Sequence, residues 1–346
     1  MGTARHSLPS RLLRKFVSIA RGNSSGPVRA ANATQRKGQA ISKVNRAVIG
    51  EGSEQLGGIG RSPFQAAYNW RGGYLDHHCE NVFKFKDASI VPDSSGIPLN
   101  HYRWGGPYYY IVTIGHYGLE CFSKFIVNGE ADAIARANAV VDWLKANRDS
   151  TGAWPVTYDH DWYPGRTRII RAPWYCAMGQ GLAMSFLARM FAHTGDGSLV
   201  PVMQDASKIF HVPSEKGGVR AMYNGHVWYE EYPTEPASFV LNGYVYALLG
   251  LYDASQATGD SSIKKLYEQG VESLKAMLSL YDLGWCTAYD LTHHSVPGAA
   301  PNVARWQYHW IHIQLLSALS QIEGDAFDSY TQRWYKYLFG GRIQQN

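Results

Sequence analysis

The spacing of apolar residues along this chain changes once. After Asn128 they recur every three or four positions, as on one face of a helix. The pattern runs through "EADAIARANAVVDWLKANRD", "PWYCAMGQGLAMSFLARMFAHTG", "PASFVLNGYVYALLGLYDASQATG", "DSSIKKLYEQGVESLKAMLSL", "NVARWQYHWIHIQLLSALSQIEG" and "DAFDSYTQRWYKYLFGG". Pro173 opens the second of these and Gly195 closes it, while "GDSS" and "EGDA" offer Asp260 and Asp325 as N-caps. Upstream the rhythm is that of strands. "NVFKFKDASIV" alternates, "PDSSGIP" is a turn cluster and "PYYYIVTI" is a β-prone aromatic run. The pattern predicts a mainly α protein, with a helical (α/α) domain over 128–346 behind a small β-rich hairpin segment over 61–127.

Three stretches echo one another: "TGAWPVTYD" (151–159), "GGVRAMYN" (217–224) and "LGWCTAYD" (283–290). Each is a Gly turn, a short β-prone run and a tyrosine. Repeated helix, turn and strand suggest helical hairpins ringing a cleft, an (α/α) toroid or barrel whose rim loops carry tyrosines inward. Three unrelated glycine turns would give the same echo.

Composition adds a basic arm. Of the 33 Lys and Arg, ten precede Glu51, where no acid occurs, and the rest of the chain is mildly acidic. Residues 1–60 read as a flexible, solvated or polyanion-binding arm. No secretory or membrane-spanning apolar run is visible, so the expectation is a cytoplasmic location. The four cysteines lack CxxC spacing, which argues against a disulfide framework or zinc ribbon. Neither a GxGxxG nor a GxxxxGK[ST] pattern stands in a strand–helix context, so nucleotide binding is unsupported, and no GxSxG elbow is present. The 23 Tyr and 11 Trp suit sugar rings, interfaces and cores alike.

Candidate chemistry begins at "WYEEYPT" (228–234). A carboxylate among aromatic rings is pushed toward a neutral pKa and can act as a base. In an extended segment alternate residues share a face, so Glu231 is expected opposite Glu230 and Tyr232. Downstream, Arg305 and Tyr308 are three apart on an expected helix, where a guanidinium would pull a phenol's pKa down. Tyr289 precedes them on a loop. Histidines 293, 294, 309 and 312 raise a zinc site, weakened by the lack of a third ligand type. Arg166, Arg168 and Arg171 form a basic cluster suited either to an anion or to solvent. Phenols, a carboxylate and guanidiniums fit proton removal beside the carboxylate of a uronic acid.

Several longer stretches then resemble a known family. "PWYCAMGQGLAMSFLAR", "WYEEYPTEPASFVLNGYVYALLGLYD", "GVESLKAMLSLYD", "YDLTHH" and "APNVARWQYHWIHI", with "GIPLNHYRWGGPYYYIVTIGHYGLECFSKF" upstream, are similar to the D-glucuronyl C5-epimerases. The resemblance covers most of 64–340. It implies a homodimer that converts D-glucuronate to L-iduronate within a heparosan-like polysaccharide, without nicotinamide or nucleic-acid partners. It places catalysis on Glu231, Tyr232, Tyr289 and Tyr308 and matches Tyr68 to a loop tyrosine of the family. Trp104, Arg171, Asn302 and Arg305, read from the residues, join Tyr68 as expected substrate contacts. Two departures bear on function. The family's middle β domain is absent or much shortened, which puts its calcium in doubt. Thr292 and Phe122 stand where the family has arginine and tyrosine. A uronate lyase and a catalytically decayed glycan-binding protein are the alternatives to an epimerase.

Overall fold

The computed structural model describes residues 68–75 and 89–343. The basic arm and the alternating stretch over 81–88 lie outside the described residues. Three short strands, β1 (Ile90–Pro92), β2 (Pro98–Tyr102) and β3 (Gly105–Tyr108), form an antiparallel sheet in that order. Asp93 builds the β1–β2 turn: its Oδ1 accepts the N–H groups of Ser95 and Ile97, and its Oδ2 takes the Tyr109 hydroxyl at 2.6 Å.

The aromatic run "PYYYIVTI" is split rather than extended. β3 ends at Tyr108, and helix α1 (Ile111–Asn128) starts three residues later. The helical unit therefore begins well before residue 128. Ile111, Ile114, Gly115, Gly118 and Phe122 recur at helical spacing and are buried, and packing on that face overrides the local β preference.

Helix α2 (Ala131–Ala146) packs on α1, and α1 packs on α3 (Ala177–Thr194). Helix α4 (Leu199–Ser207) leads to the hairpin β4 (Arg220–Tyr223) and β5 (His226–Tyr229), paired Arg220 to Tyr229 and Tyr223 to His226. Helix α5 (Leu241–Thr258) is buried on nearly every side, as a core helix must be. It crosses α3 at two glycines. A side chain on Gly181 would meet the Ala247 backbone at 2.6 Å, and one on Gly250 would meet the Gly181 carbonyl oxygen at 2.1 Å. Helix α6 (Ser261–Met277) buries a single stripe (Ile263, Leu266, Tyr267, Gly270, Val271, Leu274) and is capped by Asp260, whose carboxylate accepts the N–H groups of Ser262 and Ile263. The short α7 (Thr292–Ser295) precedes α8 (Trp306–Glu323) and α9 (Asp328–Tyr337). Asp325 lies in a 3₁₀ turn and does not cap a helix, and α3 starts at Ala177, not at Pro173. No described helix is long and apolar enough to cross a membrane.

Of the four histidines, His309 and His312 are part of the core, whereas His293 is half-buried and His294 exposed on α7. Thr287 Oγ1 bonds His309 Nδ1 at 3.0 Å and His312 Nδ1 at 2.8 Å, while His309 Nε2 meets the Trp334 carbonyl at 3.0 Å. A carbonyl only accepts, so His309 Nε2 carries the proton and Nδ1 accepts the threonine hydroxyl. Thr287 then accepts the Nδ1–H of His312. Both rings are buried and neutral, and among the described residues no three His, Cys, Asp or Glu side chains gather as a metal site would require.

Candidate active site

The chain leaves β5 at Tyr229 and bends at Glu231 and Tyr232. The expected strand alternation therefore stops short of these residues. Glu231 and Tyr232 come to lie side by side, while Glu230 turns into the core. There Glu230 accepts the N–H of Phe239 at 3.0 Å and the hydroxyl of Ser238 at 3.0 Å. Phe239 has a φ of 57°, a left-handed conformation that costs a bulky residue energy and that Glu230 holds in place. The same turn is stitched to the next loop, where Leu241 N–H reaches the Tyr289 carbonyl at 3.1 Å and Leu291 N–H reaches that of Ser238 at 2.9 Å. Glu230 thus supports the site from behind.

Glu231 is buried, and its Oε2 has no hydrogen-bond partner among the described residues. It is seated on α5 at Gly243, where an added Cβ would come within 2.3 Å of Oε2 and 2.5 Å of the glutamate Cβ. Burial raises its pKa to about 7, with the Tyr232 phenol holding it partway down. Seven groups around it feel its charge: Tyr110, Cys176, Glu230, Tyr232, Tyr246, Tyr289 and Tyr308. Tyr289 and Tyr308 meet edge to face, with centroids 4.9 Å apart. The pKa of Tyr308 is raised, by burial first and then by Glu231, with Arg305 only partly opposing them. The expected phenolate is therefore disfavoured, and Tyr308 is held as a proton donor.

Sequence reasoning missed several members of this cluster. Trp162 stacks on Tyr232 at 4.0 Å and 20°, and lies near parallel to Tyr289 at 6.0 Å. His160 also stacks on Tyr232, at 5.1 Å and 23°. Both come from a hairpin closed by mutual hydrogen bonds between His160 and Ile170. Trp162 Nε1 and His160 Nε2 are buried without partners among the described residues, so both are available to a ligand. Their alternation in "DHDWY" puts them on one face of an extended segment, which was the available signal. Tyr246 gave none, since it sits in a run that reads as core.

The remaining expected residues divide. Asn302 does not present its amide to the site: Nδ2 bonds the buried Asp290 carboxylate at 2.7 Å, and its carbonyl accepts the Tyr289 N–H at 2.6 Å. It positions Tyr289. Asp290 also accepts the Tyr163 hydroxyl at 3.1 Å, tying the Trp162 hairpin to the same loop. Tyr68 is turned away from the expected role. Its hydroxyl bonds both oxygens of Asp253, at 2.8 and 3.0 Å, beside a fully buried Arg189–Asp253 ion pair of 2.6 Å that joins α3 to α5. Arg305 is exposed at the start of α8. Trp104 is 59% exposed and stacks at 4.8 Å and 9° on Tyr102, from which a chain of rings runs through Tyr158 and Trp174 to Tyr232. Arg171 pairs with Asp159 at 2.5 Å. Of the echoed tyrosines, Tyr158 lies on this path and Tyr289 lies in the cluster around Glu231, whereas Tyr223 bonds His294 at 3.2 Å.

A helical scaffold that sets one buried, near-neutral acid against several protonated phenols belongs to the class of sites suited to moving a proton on and off carbon. The chain belongs to the family described as D-glucuronyl C5-epimerase C-terminus, whose pattern matches residues 148–336. It is 42% identical over 221 residues to a D-glucuronyl C5-epimerase of Caenorhabditis elegans, covering 60% of this chain and 36% of that protein. It is 32% identical over 143 residues to an uncharacterised protein of Methanocaldococcus jannaschii, covering 40% of this chain and 46% of the other. The chain thus spans less than half the length of these curated relatives. Among solved structures, a cellobiose 2-epimerase from Spirochaeta thermophila aligns over 73% of this chain and 67% of its own, at 13% identity and a TM-score of 0.49.

Proposed function

We propose that this chain inverts C5 of D-glucuronate residues in a heparosan-like polysaccharide, giving L-iduronate. The observation that carries this reading is Glu231, buried with a free oxygen, lifted to about 7 and ringed by phenols. In the proposed reaction the ionised Glu231 takes the C5 proton and becomes a carboxylic acid. The electron pair left on C5 spreads onto the adjacent substrate carboxylate as an enediolate. The Tyr308 phenol returns a proton to C5 from the opposite face of the ring, and the substrate carboxylate is restored. Solvent reprotonates the phenolate as Glu231 loses its proton, so the site is reset and no oxidant or cofactor takes part.

Tyr289 and Tyr232 supply hydrogen-bond donors to the developing negative charge, and their raised pKa values keep them protonated in that role. Arg305 offsets the substrate carboxylate at the open end of the site. Trp104 offers a flat face to a sugar ring further along the chain. We read the packed helix pairs α1/α2, α5/α6 and α8/α9 as part of an (α/α) toroid around this cleft.

The test is product analysis after incubation with heparosan. Iduronate without chain cleavage supports the proposal. Cleavage with formation of an unsaturated, ultraviolet-absorbing uronate supports a lyase, and binding without either supports a decayed glycan-binding protein.

A further inference from the structure

Behind the Trp162 hairpin lies a groove of about 620 Å³ that does not include Glu231, Tyr289 or Tyr308. Three arginines from two segments reach it: Arg168 and Arg171 from the return arm of the hairpin, and Arg220 from β4. Two acids, Glu215 and Glu235, also line it, so the walls carry a net charge of one positive. The floor is apolar and includes Trp174 and Ala221. Cationic walls over an apolar floor fit a sugar ring that bears an anionic group.

The arginines are available for exchange. Arg168 pairs with Glu235 at 2.6 Å and Arg171 with Asp159 at 2.5 Å, but both guanidiniums are more than two-thirds exposed. Such exposed pairs contribute little, and a guanidinium can pass from one carboxylate to another at small cost. Arg220 is half-buried and has no carboxylate within ion-pair distance among the described residues. The planar guanidinium suits two-point contact with a carboxylate or sulfate.

The groove also adjoins the site. Trp174 lines it and lies 6.2 Å from the Tyr232 ring, while Pro233 and Thr234 follow Glu231 by two and three residues. We infer that this groove is a second binding site for the substrate chain, taking an anionic sugar unit that flanks the reacting uronate. The inference rests on the proposed polysaccharide substrate. It goes beyond that reading by assigning Arg168, Arg171 and Arg220 to recognition of a neighbouring carboxylate or sulfate.

The experiment measures binding by calorimetry in the Glu231→Gln protein, where turnover does not interfere. The probes are heparosan oligosaccharides of two lengths, N-acetylated or N-sulfated. Arg168→Ala and Arg220→Lys, singly and together, are each expected to weaken binding of the longer oligosaccharide by about tenfold. The shortest oligosaccharide is expected to bind all these proteins alike. Loss on both chemical forms identifies the uronate carboxylate as the bound anion, and loss confined to the N-sulfated form identifies the sulfate. Either result supports the groove. Equal binding of the longer oligosaccharide by parent and double variant, with melting temperatures unchanged, overturns it. Failure of the unsubstituted protein to form iduronate while this arginine dependence persists would instead sink the epimerase reading and leave the groove standing.

Discussion

Gly243→Ala is the most informative single change, because it acts on Glu231 without altering any reacting group. The new methyl would lie 2.3 Å from Glu231 Oε2, 2.5 Å from its Cβ and 2.8 Å from its Cδ, where carbon atoms settle at roughly 3.5–4.0 Å. The carboxylate tip can rotate away, but the Cβ is fixed to the backbone, so the bend at 231–232 or the start of α5 must shift by about 1 Å. Overpacking of this kind costs roughly 1–3 kcal/mol, and alanine returns about 1 kcal/mol of helix propensity. The net loss of stability is then roughly 0–2 kcal/mol, a fall of only a few degrees in melting temperature. A reacting group misplaced by about 1 Å can lose on the order of 100-fold in rate. The paired assay is thermal unfolding and C5 hydrogen exchange on heparosan. A large loss of exchange with modest loss of stability is expected. Unimpaired exchange would mean that Glu231 is not held against α5 or is not needed.

Further outcomes follow from the same geometry. Tyr308→Phe is expected to reduce iduronate formation by at least about 100-fold while the protein melts as before, since general acid–base groups contribute on this scale; near-normal turnover would remove Tyr308 from the proposed role. The rate should rise as pH increases through about 7, where Glu231 ionises, and then stay level until phenols titrate above their usual range; a rate that falls between pH 6 and 8 would contradict Glu231 as the base. His309 bears on stability. Burial lowers its pKa to about 4, whereas the unfolded chain protonates near 6.5. Its contribution is complete above about pH 6.5 and is lost as pH falls toward 4, a difference of roughly 3 kcal/mol. His309→Asn should therefore show a shallower acid limb than the parent in melting temperature against pH, and parallel limbs would refute the assignment.

Helices α2, α3, α5, α6, α8 and α9 were legible because their apolar spacing is a local property; the short α4 and α7 were not, since neither is long enough to show a period. "PYYYIVTI" was misread because β-prone side chains belong equally to a helix face that packs on α3, and only that packing decides. Glu231, Tyr289 and Tyr308 could be singled out from neighbouring residue types and from resemblance. Their meeting could not, since it depends on the bend after β5 and on loops tied through Asp290 and Asn302. The hydrogen bonds of Tyr68 to Asp253, 185 residues away, were not legible, because nothing local distinguishes a phenol that faces substrate from one bound to a buried ion pair. The lowering of the Tyr308 pKa expected from Arg305 is outweighed by burial, a quantity that sequence spacing does not contain.

The central claim is that Glu231 takes the C5 proton of a uronate. Heparosan incubated in deuterated water with the intact protein should gain deuterium at C5, read by NMR, without chain cleavage. Glu231→Gln, folded and still binding the polysaccharide, should leave C5 protonated. Deuterium entering at the same rate in both proteins would contradict the account.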